Sequence, residues 1–91
     1  MGLLVDAAIW PLGGRMFCHL VSDESLEELH LFASRIGLPR RAFHGDHYDL
    51  PAEWRARAIE AGAEPVDPRV LVRRLRDAGL RRPIRRGDTA S

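Results

Sequence analysis

The sequence predicts an α/β fold, a small, mostly parallel sheet of three to four strands with about three helices. Short apolar runs alternate along the chain with longer segments whose apolar residues recur at helical spacing. Proline and glycine stand between these segments, where a chain turns. The resulting order of strands and helices favours helices packed as layers on a largely parallel sheet.

The first strand is predicted in residues 2–9, a short apolar run that contains one acid. We expect it to be buried and to end near Asp6 or Ala8. Residues 10–14 contain one proline and two adjacent glycines, so they predict a turn or loop.

The second strand is predicted in residues 16–21. Alternate side chains of a strand point to opposite faces, so this segment divides into two sets. One set is Met16, Cys18 and Leu20, and the other is Phe17, His19 and Val21.

The first helix is predicted to begin at Ser22 or Asp23, either of which can cap the free amides of a first turn. Gly37 ends it, because glycine is common just after a helix. His30 falls at the border of its apolar stripe, which consists of Leu26, Leu29, Ala33 and Ile36.

The second half of the chain predicts two more helices and two short strands. We expect strands at residues 41–44 and 63–66 and a helix from Pro51 to Gly62. The third helix begins at Asp67 and Pro68, a cap followed by a good first residue, and ends at Gly79.

The length of 91 residues fits one small domain, which we assign to residues 1–82. Residues 83–91 are predicted to be a disordered tail that contains arginine. A domain of this size buries a modest core, so a second copy in a homodimer would stabilise it.

The composition of the chain indicates the cellular compartment in which the protein is found. The net charge is +1, and all 14 basic residues are arginine. The single cysteine, Cys18, allows no intrachain disulfide, which fits a reducing compartment. The apolar runs are too short to cross a bilayer, and the start of the chain lacks the basic region of a signal peptide. We therefore expect a cytoplasmic protein with no membrane partner.

Residues 43–49 contain two histidines, two aspartates and a tyrosine, although the whole chain has 4 histidines. Burying such a polar cluster without partners would destabilise the fold. We therefore expect the cluster to be exposed or functional. The plain structural alternative is a capped turn, with His19 and His30 as separately hydrogen-bonded packing residues.

Several short motifs occur in a fixed order with compatible gaps. They are Val5-Asp6, Gly14-Arg15-Met16, Cys18-His19-Leu20, Ser22-Asp23, Glu28-Leu29-His30, Ile36-Gly37 and His47-Tyr48-Asp49. Over about residues 3–80 the chain resembles an uncharacterised family of short bacterial and phage proteins, domain of unknown function 4031. The resemblance implies a stand-alone bacterial or phage protein and no particular activity. The polar set that it implies is Asp6, His19, His30, His47, Tyr48 and Asp49.

The leading functional hypothesis is a divalent metal site for Zn, Mn, Fe or Ni, because imidazole and carboxylate are the usual ligands of these ions. We expect His19, His47 and Asp49 to be ligands, with Asp6 or His30 as a fourth ligand or as a residue that orients one. An open position on such an ion activates water, so the protein could be a hydrolase. The chain lacks the His-Glu-x-x-His spacing of zinc proteases.

Two other functions stay open at this point, and so does the question of whether the protein is an enzyme. His47 paired with Asp49 or Asp6 could act as an acid or base without metal, with Tyr48 as a catalytic hydrogen-bond donor. Alternatively, the protein could be an interaction module. Its third helix carries Arg69, Arg73 and Arg76 on one side, which would suit nucleic acid or an acidic partner, or would simply be a solvated face.

Overall fold

The computed structural model describes residues 2–7 and 10–81. Within these residues the chain forms six strands and three α-helices. The strands are β1 (Leu3–Val5), β2 (Trp10–Leu12), β3 (Arg15–Ser22), β4 (Phe43–His44), β5 (His47–Pro51) and β6 (Glu64–Pro65). The helices are α1 (Leu26–Ile36), α2 (Arg55–Glu60) and α3 (Pro68–Asp77), and short 3₁₀ turns span Arg40–Ala42 and Ala52–Trp54.

Strand β3 is the centre of the sheet. The strands lie in the order β4-β5-β3-β1-β6, and β2 also pairs with β3. Because β3 has 8 residues, its first half pairs with β2 and its second half with β1 along one edge, while β5 occupies the other edge. This arrangement brings β1, β3 and β5 side by side.

The predicted sheet of three to four mostly parallel strands is wrong. The sheet is mixed and mostly antiparallel, and β1 with β6 is the parallel pair among the described strands. The physical reason is the presence of two hairpins. Two residues join β2 to β3, and two join β4 to β5, and connections this short allow antiparallel pairing alone.

The predicted loop at residues 10–14 is largely strand β2. Proline is a poor strand residue, but Pro11 is exposed on a short outer strand, where a missing N–H costs little. Gly13 and Gly14 have φ angles of 59° and 81°, the left-handed conformation that two-residue hairpin turns need. The proline and glycine pair therefore marks a hairpin at this position.

Helices α1 and α3 follow the local signals in the sequence. Ser25 caps α1 by accepting a hydrogen bond from the Glu28 N–H, so the cap is neither of the predicted residues, Ser22 or Asp23. Asp67 caps α3, with Pro68 as its first residue, as the sequence predicts. Both helices are amphipathic, so each one covers part of the sheet.

Two apolar clusters pack on the two faces of the sheet. The larger cluster, under α1 and α2, includes Leu20, Leu29 and Leu50. The smaller cluster, under α3, contains Leu4 and Val21 from the strands and Leu71 and Leu75 from the helix. Helices on both faces therefore enclose β1 and β3.

The predicted tail at residues 83–91 lies outside the described residues. No helix in the described ranges combines the length and the apolar character required to cross a bilayer.

Replacing Leu29 with alanine is expected to lower the free energy of unfolding by about 2–5 kcal/mol, because the side chain is fully buried between α1 and the sheet. The matched control is Leu31→Ala in the same helix. Leu31 is 63% exposed, so this change should alter stability by less than about 0.5 kcal/mol. Urea unfolding followed by circular dichroism measures both. Equal losses would contradict the packing of α1 described above.

Candidate metal centre

Three of the predicted site residues come together between two neighbouring strands. Candidate ligand atoms of His19, His47 and Asp49 all lie within 4.8 Å of one another. His19 is opposite Asp49 in the register of β3 and β5, and the rings of His19 and His47 are 5.1 Å apart. Antiparallel pairing of β3 with β5 therefore brings these three side chains together, although His19 is far from His47 and Asp49 along the chain.

Alternation along β5 decides which side chains reach this group. His47 and Asp49 point to the face covered by α3, and Tyr48 and Leu50 point into the larger core on the other face. The segment that the sequence presented as one polar cluster is therefore divided between the two faces of the sheet.

Asp6 holds His19 at a break in the sheet. Pairing along β3 passes from β2 to β1 at this point, and the His19 backbone N–H donates to Asp6 Oδ1 at 2.7 Å. The Nδ1 atom of the His19 ring lies 2.9 Å from the other oxygen, Oδ2. Arg55 Nε donates to the Asp6 carbonyl at 2.8 Å. Asp6 is 1% exposed, so its backbone and side chain are fixed by these contacts.

Asp46 holds His47 in a comparable way. Gly45 has a φ of 74°, which lets the chain turn within two residues between β4 and β5. The turn places Asp46 Oδ1 at 2.7 Å from His47 Nδ1. Asp46 is 5% exposed, so this carboxylate is also nearly buried.

Both imidazole rings therefore use Nδ1 toward a carboxylate. An ionised carboxylate can only accept a hydrogen bond, so the hydrogen of each neutral ring is on Nδ1 and the lone pair is on Nε2. His47 Nε2 lies 3.2 Å from Asp49 Oδ1. The other oxygen of Asp49 lies 3.0 Å from Nε2 of His44, an exposed residue of β4.

A cavity of about 240 Å³ opens beside the two histidines. Asp6, His19, Asp46 and His47 line one side, and apolar residues of α3 line the other. Arg81 stands at its edge, with Nη1 at 4.0 Å from Asp46 Oδ2.

The predicted family is confirmed by a family model described as a protein of unknown function, DUF4031, which matches residues 3–78. The chain belongs to the DUF4031 family. Neither the curated proteins nor the solved structures contain a match to the chain. The description of the DUF4031 family names no reaction.

Two side chains near Asp6 in this DUF4031 protein, His19 and Cys18, have raised pKa values. The hydrogen bond to Asp6 raises the pKa of His19 above its usual 6.5, although partial burial acts in the opposite direction. Burial raises the pKa of the Cys18 thiol to about 11, and the charge of Asp6 adds to the effect. Cys18 is therefore a protonated core residue, with no thiolate for nucleophilic chemistry at neutral pH.

Two predicted site residues, His30 and Tyr48, lie apart from the group of His19, His47 and Asp49. They are on the face of the sheet covered by α1, where His30 Nδ1 is 2.8 Å from the Tyr48 hydroxyl oxygen. Burial, followed by the charge of Arg40, lowers the pKa of His30. Of the predicted set, Asp6, His19, His47 and Asp49 therefore lie together in this DUF4031 chain.

Sequence reasoning missed the parts played by Asp46, His44 and Arg81 in this site. The signal for Asp46 in the sequence is its position directly before His47, in the two-residue turn between β4 and β5. Arg81 lies at the edge of the cavity. Because Arg81 is far from the histidines along the chain, no local pattern in the sequence could predict that it lies near them.

Arg69, Arg73 and Arg76 are exposed on α3, as expected for a solvated or binding face. Their neighbour Arg74 differs, because its guanidinium donates to Asp23 Oδ2 at 2.8 and 3.0 Å. A role for the three exposed arginines toward nucleic acid or an acidic partner stays a prediction.

The stability of the metal-free protein is expected to depend on His19. A histidine whose pKa is raised on folding stabilises the fold fully below its unfolded pKa, and this contribution is lost as the pH rises through the folded value. Unfolding free energies measured in chelator from pH 5.5 to 9 should therefore contain a fall above about pH 6.5 that His19→Gln removes. His30→Gln is the control, since His30 has a lowered pKa and contributes in the opposite direction. A fall that persists in His19→Gln would assign it to another group.

Proposed function

We propose that this protein binds one divalent transition metal ion through His19, His47 and Asp49 and uses it to activate water in a hydrolytic reaction. The observation that carries the proposal is the pairing of both imidazole Nδ1 atoms with nearly buried carboxylates. Histidines that bind metals usually hold their other nitrogen in this way, because the contact fixes the ring and increases the basicity of the ligand.

The spacing of the candidate ligand atoms also supports a metal. Two ligand atoms about 2.1 Å from one ion lie roughly 3.0–3.4 Å apart in octahedral or tetrahedral geometry. The distance of 3.2 Å between His47 Nε2 and Asp49 Oδ1 falls in this range. His19 completes the set from the neighbouring strand, within 4.8 Å of both. A small movement of its ring would bring all three to one ion.

The type of ligand limits the ion and the chemistry. Two imidazoles and one carboxylate suit Zn, Mn, Fe or Ni better than Mg or Ca. Three protein ligands leave at least one position for water, and a bound zinc ion lowers the pKa of that water toward about 7. In this chain the open side would face the cavity of about 240 Å³, where a small substrate has room beside the ion.

Asp6 and Asp46 would act as positioning residues for the two histidines. Because both are nearly buried and are fixed by the sheet and the hairpin turn, the rings need little rearrangement on binding. We also infer a cytoplasmic location, since the single cysteine is a buried free thiol.

Metal binding is tested by equilibrium dialysis of untagged protein against zinc, with metal content measured by elemental analysis. We expect about one zinc per chain, and an affinity at least roughly 100-fold lower in His47→Ala or His19→Ala because each removes a ligand. His30→Ala is the matched control, because this histidine lies on the other face of the sheet and should leave binding unchanged. Equal binding by all variants would contradict the assigned ligands.

Two further measurements test the positioning role of Asp6 and the activation of water by the bound metal. Asp6→Asn should weaken zinc binding about 10- to 100-fold while the fold, followed by circular dichroism, is retained. The absorption spectrum of the cobalt(II)-loaded protein should change with a pKa near about 7 as bound water ionises. A spectrum independent of pH between 5.5 and 9 would contradict the hydrolytic part of the proposal.

A further inference from the structure

We infer that the metal-loaded site binds a small oxyanion, a carboxylate or a phosphate, that carries a short apolar group. This inference rests on the proposed metal site and names the class of substrate that the site would take. The inference is supported by two observations. The cavity has a polar wall and an apolar wall, and Arg81 lies at its edge.

The cavity is lined by residues of the sheet and by residues of α3. One wall presents the histidines and carboxylates of the sheet, and the other presents Leu71, Val72 and Leu75 of α3. The cavity volume of about 240 Å³ is slightly below the roughly 300–1,000 Å³ of sites for drug-sized ligands. The site therefore suits a small molecule with one polar and one apolar end.

The apolar wall belongs to the smaller core, and Val72 is its half-buried member at the cavity. Leu71 and Leu75 are almost fully buried by the sheet, and Val72 on the same side of α3 is half-buried. Apolar side chains beside an open polar cavity favour an apolar group of the ligand, because contact with it removes both surfaces from water.

Charge makes the binding of an anion dependent on the metal. Without an ion, the carboxylates of Asp6 and Asp49, which lie against the two histidines, would repel an anion. A divalent ion offsets this negative charge and offers an open position to an oxyanion oxygen. The order of binding is then metal first and anion second.

Arg81 supplies the second contact to the anion. Its Nη1 lies 4.0 Å from Asp46 Oδ2, the outer limit of an ion pair and longer than a hydrogen bond. The side chain is 42% exposed at the edge of the cavity, so its N–H groups can turn toward a ligand. Arginine is well suited to this contact, because its planar donors match carboxylate and phosphate.

The test uses calorimetric titration of zinc-loaded full-length protein with methylphosphonate, butylphosphonate and pentanoate. Each methylene moved from water to an apolar wall strengthens binding roughly fourfold. With partial burial of three methylenes, butylphosphonate should bind about tenfold more tightly than methylphosphonate. Pentanoate, with the same butyl group, shows whether the site prefers a carboxylate or a phosphorus oxyanion.

Matched variants assign the two contacts. Val72→Thr keeps the shape of the side chain but makes it polar, and should remove most of the preference for butylphosphonate. Val70→Thr, on the same helix but outside the cavity lining, should retain it. Arg81→Gln should weaken all three anions roughly tenfold, whereas Arg76→Gln on the exposed side of α3 should not.

The outcomes separate this inference from the proposed function. If zinc does not bind, the proposed function and the inference both fail. If zinc binds but the phosphonates and pentanoate do not, or if methyl- and butylphosphonate bind equally, the inference alone is overturned. Equal binding of the anions to metal-free and zinc-loaded protein also overturns it, because the carboxylates should prevent binding without the ion.

Discussion

The double contact between Asp6 and His19 is the interaction on which the rest of the site depends. Strand β3 changes partners between β2 and β1, and backbone groups at such a break need other hydrogen-bonding partners. The Asp6 carboxylate accepts from both the His19 N–H and its ring, and Arg55 donates to the Asp6 carbonyl. The same contacts that close the sheet therefore also fix the orientation of an imidazole.

Strand β5 connects the core with the site through simple alternation. Tyr48 and Leu50 anchor the strand in the larger core, so His47 and Asp49 must point to the opposite face. One result is a separation of the two half-buried histidines into different environments. His19 faces a carboxylate, which raises its pKa, and His30 faces the Tyr48 hydroxyl, with a pKa lowered by burial. Alternation along one strand therefore places His47 and Asp49 on one face of the sheet and the residues of the larger core on the other.

Helix α3 gives the site its second wall and its basic residue. Leu71 and Leu75 secure the helix to the sheet, and the hydrogen bond from the Leu80 N–H to the Leu75 carbonyl turns the chain back at the end of the helix. Arg81 follows this turn and so reaches the cavity beside Asp46. A helix that contributes to stability therefore also sets the shape and charge of the space next to the histidines.

The sequence by itself determined that the chain has three helices with apolar faces, and it indicated Asp6, His19, His47 and Asp49, which the structure brings together. Caps such as Asp67, stops such as Gly37 and helical spacing act within a few residues, so they can be read locally. Only the tertiary structure decided the antiparallel pairing, the break at Asp6 and the separation of Tyr48 and His30 from His47. These features depend on which strands become neighbours and in what register, and that choice reflects contacts between residues far apart in the chain. The local pattern of residues 43–49 could therefore indicate a site but could not divide its members between two faces of a sheet.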